Sequence, residues 1–305
     1  DGFGYFVGRT GRQVFELRYD AAEYKFLPRE ITQLVPEIGE GVFSRMAIQQ
    51  APDIRLHVER EDGTVGLMVR DPVEDVLCWL DIETPGAGGE IEDVLVLPGE
   101  VEDAVYYRVK RTVNGVDVRY LERWALETEC LGGELNKQAD SFLTGTGSVD
   151  GLDHLEGEDV VIWADGEDRG TSTVVSGVAS PTSYTTWCAG LTYRARYKSA
   201  KMAGETALGL ALGQRSRINT VHFILADTHA KGLKYGPDFE TMDDLPDIEN
   251  GERVSSSRVW NSYDGGNIAF PGDWDEDTRA CLEANAPRPC RVLAAALNVT
   301  RQDTL

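Results

Sequence analysis

Ile54-Arg55-Leu56-His57-Val58-Glu59-Arg60-Glu61-Asp62-Gly63-Thr64-Val65-Gly66-Leu67-Met68-Val69 decides the fold class. Ile54, Leu56 and Val58 alternate with Arg55, His57 and Glu59. Val65, Leu67 and Val69 alternate again after Glu61-Asp62-Gly63. A period of two sends successive side chains to opposite faces of an extended chain. Asp-Gly between two such runs predicts an antiparallel hairpin with a two-residue turn, whose central residues need positive φ.

The pattern repeats outward. Val105, Tyr107 and Val109 lead to Asn114-Gly115, and Val116, Val118 and Tyr120 return. Residues 76–82 and 91–97, between the two hairpins, also read as strands. Four strands in roughly 50 residues match one blade of a β-propeller, although the meander of a sandwich produces the same hairpins. Helical periodicity is scarce: residues 30–38 carry a short helical pattern that Pro36 truncates. The expected class is all-β.

Composition narrows the function. The chain has 305 residues, 41% of them hydrophobic and 27% charged, enough for two or three domains with their own cores. No apolar run approaches the roughly 20 residues that cross a bilayer, so no membrane insertion is expected. The first residues contain no basic stretch leading into an apolar one. Thirty Lys and Arg face 52 Asp and Glu, a net charge of -22. Nucleic-acid binders displace counterions with basic patches, and this balance has the opposite sign. An acidic surface serves solubility, or lines a channel through which DNA slides without sticking.

The composition shifts to small and polar residues over 128–149, which reads as a linker. Three regions follow: 1–128 as propeller-like blades, 129–190 as a small β-barrel or sandwich module, and 191–305 as further antiparallel β structure. Within the module, strands are expected near 160–163, 172–176 and 184–187. Beyond it they are expected at 193–197 and 218–226. Residues 231–253 are acidic and read as a long exposed loop.

Catalytic and metal-binding patterns are absent. His57, His154, His222 and His229 have no partner motif and read as hydrogen-bonded structural groups. Cys78, Cys130, Cys188, Cys281 and Cys290 include no Cys-x-x-Cys pair, so zinc is not expected and free thiols are, with Cys78 packed as a small hydrophobe. Ser148 lacks the glycines of a nucleophile elbow. The Gly204 and Gly209 pair lacks the lysine of a phosphate loop, and Gly2-x-Gly4 opens no helix. Asp273-Trp274-Asp275-Glu276-Asp277 starts like a calcium loop, but Thr278 and Ala284 stand where glycine and glutamate are required. Arg194, Arg196 and Lys198 share one strand face and, with Arg215 and Arg217, form the basic cluster. It reads as salt-bridge partners of an acidic neighbour, or as a phosphate contact.

A resemblance adds to this reading. Residues 151–167, GLDHLEGEDVVIWADGE, form a turn, a short apolar strand and a second turn. They resemble a recurrent segment of the tail nozzle proteins, or tubular tail protein B, of short-tailed double-stranded DNA phages. Further similar pieces occur in order. They are Gln49-Gln50-Ala51-Pro52-Asp53, Arg111-Thr112-Val113-Asn114-Gly115, Gly190-Leu191-Thr192-Tyr193, Arg215-Ser216-Arg217-Ile218-Asn219, and Phe270-Pro271-Gly272-Asp273-Trp274-Asp275 with Pro287 and Pro289. Thr192 stands where the family carries proline.

The resemblance implies a structural virion protein of the tail, assembled in the host cytoplasm, and not an enzyme. It implies a homo-hexameric ring that extends the tail channel below an adaptor ring, docks tail fibres or other appendages and passes double-stranded DNA. It implies no catalytic residue, no cofactor and no metal, and further propeller sequence before Asp1. Residues 128–150 and 231–253 are then expected at subunit or partner contacts, and deleting either is expected to leave a folded monomer that forms no ring. The alternative is a carbohydrate- or receptor-binding β protein in which Trp79, Trp124, Trp163, Trp187, Trp260 and Trp274 offer stacking platforms. A propeller glycosidase is a third reading.

Overall fold

The hairpin over residues 54–69 forms, but with a different turn. In the computed structural model, which describes residues 3–202, 205–206, 209–210, 213–249 and 251–302, Gly63 has a φ of 81° and Asp62 has a negative one. The Arg60 amide donates to Thr64 O at 2.9 Å, and the Gly63 amide donates to Arg60 O at 3.1 Å. This is a three-residue loop with one left-handed residue. The Asp62 carboxylate accepts from the Thr64 amide at 3.1 Å and holds the turn in that shape. The expected two-residue turn occurs at Asn114 (φ 50°) and Gly115 (φ 76°), where Val113 pairs with Val116.

The protein is all-β, with 57% of the described residues in strands and 3% in helices. It divides into two compact units, Asp1–Leu126 and Glu127–Leu305. The first contains β1 (Phe3–Val7), β2 (Val14–Asp20), β3 (Lys25–Glu30), β4 (Phe43–Gln49), β5 (Ile54–Arg60), β6 (Val65–Asp71), β7 (Val76–Ile82), β8 (Glu90–Leu97), β9 (Ala104–Val113) and β10 (Val116–Arg123). They make three successive antiparallel meanders: β1-β2-β3, β4-β5-β6-β7 and β8-β9-β10. The expected helix over 30–38 is a single 3-10 turn, Pro36–Gly39. Pro36 begins it rather than truncating it, because proline's fixed φ suits a first turn and its missing N–H costs nothing there.

The middle meander is covered on both faces. Leu56, Val58 and Met68 pack with Val14, Ile31, Ile38 and Phe43. Val65, on the opposite face, packs with Ile91, Val105, Tyr107 and Val109. The polar half of the alternation is therefore buried too: His57 is fully buried and Glu59 is 5% exposed. Alternation reports two faces, and a second sheet decides whether both are dry.

The second unit contains β11 (Asp140–Val149), β12 (Asp159–Ala164), β13 (Glu167–Thr173), β14 (Ser180–Leu191), β15 (Arg194–Lys198), β16 (Glu205–Thr206), β17 (Gly209–Leu210), β18 (Ser216–His229), β19 (Leu233–Gly236), β20 (Asp243–Asp244), β21 (Ile248–Glu249), β22 (Glu252–Arg253), β23 (Val259–Ala269), β24 (Cys281–Asn285) and β25 (Arg291–Arg301). Two four-stranded sheets, β11-β14-β12-β13 and β15-β24-β19-β20, accompany the three-stranded β23-β18-β25 and two short pairs. The turn-strand-turn over 151–167 forms, with Leu152 and Leu155 buried and a two-residue turn at Asp165 and Gly166 into β13.

Two expected loops are structural. Residues 140–149, expected within a linker, are the ten-residue strand β11 paired to β14. Gly145 serves packing, since a Cβ there would come within 2.5 Å of the Trp187 ring, and Gly147 supplies a positive φ of 83°. Residues 231–253, expected as an exposed loop, contain β19 between β24 and β20. Leu233, Tyr235 and Leu245 enter the core with Phe223, Leu225 and Trp260, while Asp238, Glu240, Asp243 and Asp244 remain outside. Their acidic composition concealed the apolar half. Trp163 joins the two parts of this unit: its Nε1 donates to Gly133 O at 3.0 Å, and its ring meets His229 edge-on at 6.0 Å. Arg288 Nε donates to Asp168 Oδ2 at 2.8 Å nearby.

Candidate functional site

The four histidines have structural partners. His57 Nδ1 lies 2.8 Å from the Tyr107 hydroxyl and its Nε2 lies 3.3 Å from Gln49 Oε1. Burial, together with the nearby Arg55 charge, lowers its pKa to about 4. His154 Nε2 sits 2.9 Å from Ser141 O. His222 Nε2 approaches Asp264 Oδ1 at 2.6 Å on a half-exposed face. His229 Nδ1 accepts from the Lys231 amide at 3.1 Å, and burial puts its pKa at about 4.

Tryptophan placement corrects the platform idea. Trp163, Trp187 and Trp260 are buried. Trp79 and Trp124 pack against the two cores of the first unit. Trp274 alone is exposed, at 39%. Cys78 is exposed rather than packed, because β7 is an edge strand that turns Leu77 and Trp79 inward. Cys188 and Cys281 are buried free thiols.

Asp273, Asp275 and Asp277 are spent on local contacts around their own turn. Asp273 Oδ1 accepts from the Trp274 amide at 2.8 Å, Asp275 Oδ1 from the Asp277 amide at 3.1 Å, and Asp277 Oδ1 from Arg279 Nε at 2.9 Å. Among the described residues, no group of three or more His, Cys, Asp or Glu side chains is arranged to hold a metal ion. Gly2 and Gly204 lie outside the described residues.

In the first unit, the Ser44 hydroxyl donates to the Glu59 carboxylate. Burial and the neighbouring Asp93 carboxylate push Glu59 up to about 7, against the opposing effect of Arg45. Glu59 thus sits on the same strand face as His57, and the two are shifted in opposite directions.

The basic cluster resolves into a charged sheet. Arg194, Arg196 and Lys198 all lie on β15, and the whole strand is exposed. Arg196 Nε donates to Glu283 Oε2 at 2.7 Å, and its guanidinium stacks 4.7 Å over the Phe239 ring. Burial would raise Glu283, but the Arg196 hydrogen bond and charge outweigh it and hold the carboxyl below its ordinary range. Registers carry the row onward. Arg196 faces Glu283 on β24, Glu283 faces Lys234 on β19, and Lys234 faces Asp244 on β20. Across the four strands the signs run plus, minus, plus, minus. Arg215 pairs with Glu276 at 3.8 Å outside this sheet, and Arg217 is exposed on β18. Sequence reading found Arg194, Arg196 and Lys198. It missed Glu283, Lys234 and Asp244, because the strand order β15-β24-β19-β20 brings together residues far apart in the chain.

No family model matches the chain, and no curated protein matches it.

Proposed function

We propose that this chain is a structural subunit of a phage tail. In this reading six copies form the nozzle ring that continues the tail channel below the adaptor, docks fibres or other appendages and conducts the genome. The observation that carries the reading is the stacking in the first unit: β5 and β6, the central strands of the β4-β7 meander, are buried on both faces between the cores shared with its neighbouring meanders. Successive up-and-down meanders packed face to face are how propeller blades succeed one another. We read β1-β3, β4-β7 and β8-β10 as three such blades, and β11-β14 as the small β module that follows.

The net charge of -22 supports a conduit. A wall of that sign repels a passing duplex and removes the counterion-release term that would make DNA stick. The carbohydrate-binding alternative loses its main support, since one exposed tryptophan is not a stacking surface. Native mass spectrometry followed by negative-stain imaging tests the proposal. A mass near six chains with a central hole is expected. A closed assembly without a channel, or glycan binding by an isolated monomer, would overturn it.

A further inference from the structure

Both edges of the sheet β15-β24-β19-β20 are open among the described residues, and they carry opposite charge. β15 presents Arg194, Arg196 and Lys198, and β20 presents Asp243 and Asp244. Every residue of both strands is exposed. Arg194, Lys198, Asp243 and Asp244 make no ion pair within 4.0 Å among the described residues, although Asp244 lies opposite Lys234 across the sheet and Arg194 acts electrostatically on Glu283. We propose that β15 of one copy pairs with β20 of the next, extending this sheet through a head-to-tail contact between copies of this chain.

Three features support that occupant over any other. The first is sign. In a molecule of net charge -22, an edge strand whose charged residues are all basic attracts the molecule's own acidic surface. Like-on-like contacts, β15 with β15 or β20 with β20, set equal charges opposite one another and are disfavoured. Edge charges commonly block sheet extension. Here their opposite signs block only the two symmetric pairings and favour the heterologous one.

The second feature is strand direction. β15 is antiparallel to β24, β24 to β19, and β19 to β20. With four alternating strands, the two edges run in opposite directions. Head-to-tail placement therefore makes an antiparallel β20–β15 pair and leaves the alternation unbroken.

The third is the charge row. Arg196, Glu283, Lys234 and Asp244 alternate in sign across the sheet. Opposite-charge cross-strand pairs are favourable, and the next residue the row calls for after Asp244 is a cation. The next copy's Arg196 supplies it, flanked by that copy's Arg194 and Lys198. A heterologous contact of this kind closes into a ring when its rotation divides a full turn and otherwise grows into a filament. The contact rests on the two edges alone and stands whether or not the assembly is a tail conduit.

Charge-reversal variants test it by native mass spectrometry and sedimentation of the full chain. One variant reverses the acidic edge (Asp243→Lys with Asp244→Lys) and the other the basic edge (Arg194→Glu with Lys198→Glu). All four positions are exposed, and unchanged circular dichroism verifies folding. The wild-type chain is expected to associate at low salt and to weaken at about 1 M salt, where screening shortens to about 3 Å. Each variant alone is expected to need a roughly tenfold or higher concentration to associate. Mixing the two variants restores complementary edges on both sides and is expected to recover the wild-type assembly. A wild-type chain that stays monomeric at its highest soluble concentration overturns the proposal. So do variants that keep the wild-type mass, and so does a mixture that fails to recover it. A recovered ring with no open channel would leave this contact standing and overturn the conduit reading instead.

Discussion

His57 Nδ1 and the Tyr107 hydroxyl meet at 2.8 Å and join β5 to β9 through one buried hydrogen bond. His57 Nε2 faces the Gln49 carbonyl oxygen at 3.3 Å, which can only accept. The network therefore assigns the proton to Nε2 and makes Nδ1 the acceptor of the tyrosine proton. Trp124 closes the group, with its ring edge-on to His57 at 5.2 Å and to Tyr107 at 5.4 Å. Two sheets are thus tied by a polar contact inside an apolar layer, where an unmade hydrogen bond is costly.

Replacing Tyr107 with phenylalanine keeps the ring and removes the donor. His57 Nδ1 is then buried without a partner, and the first unit is expected to lose about 1–3 kcal/mol. Urea unfolding reads this as a lower midpoint with an unchanged slope. An unchanged midpoint would show that the bond contributes nothing net.

Two residues on one strand face give the first unit opposing pH dependences. The folded His57 titrates at about 4, below its ordinary 6.5. Its contribution is present above pH 6.5 and is lost as pH falls towards 4. The folded Glu59 titrates at about 7, above its ordinary 4.5. Its contribution is present below pH 4.5 and is lost as pH rises through 7. The two slopes oppose each other between about 4.5 and 6.5. Glu59→Gln removes one of them, so the variant should become more stable relative to wild type as pH rises from 5 to 7, by about 1 kcal/mol after screening. Parallel melting-temperature profiles for the two proteins would contradict this.

Glu16 on β2 and Arg70 on β6 are 0% and 2% exposed and pair at 3.5 Å, with the Tyr5 hydroxyl donating to the same carboxylate at 3.3 Å. Arg70→Met removes one of two cations from a buried carboxylate, leaving Arg18 at 3.4 Å and the Tyr5 hydroxyl as its partners, and is expected to cost about 1–3 kcal/mol. Combining it with Glu16→Leu should recover most of that loss, since a buried ion pair adds little over apolar packing. A double-mutant cycle measures the coupling. Additive losses would sink the idea that the two residues compensate one another.

Deleting residues 231–253 should unfold the second unit rather than merely prevent association. The deletion removes β19 from the middle of its sheet and takes Leu233, Tyr235 and Leu245 out of the core. Deleting 128–150 removes β11 and the buried Asn136 and Val149, with the same expected outcome. Loss of near-ultraviolet circular dichroism and of a cooperative thermal transition checks both. A folded monomer would restore these segments to the role of contact loops. Substitutions at the exposed acids keep the fold and are the appropriate probes of association.

Local pattern made much of the fold legible. Alternation located β5, β6, β9 and β10 because period two is a property of neighbours in the chain, and Asn114-Gly115 specified its turn because both residues tolerate positive φ. The same logic failed where composition masked pattern. Glycines in β11 suggested a linker, yet Gly145 is there to admit the Trp187 ring. Acids after Lys231 suggested a loop, yet Leu233 and Tyr235 alternate towards the core.

By itself, the sequence determined the all-β class, the hairpins and the net charge, all of which depend on residue type and short-range spacing. Tertiary structure alone decided which faces are dry and which charges meet. His57 is buried because a second sheet covers its side of β5. Arg196, Glu283, Lys234 and Asp244 form one row because β24 inserts between β15 and β19. Strand order is set by non-local burial and hydrogen bonding, and no local period encodes it.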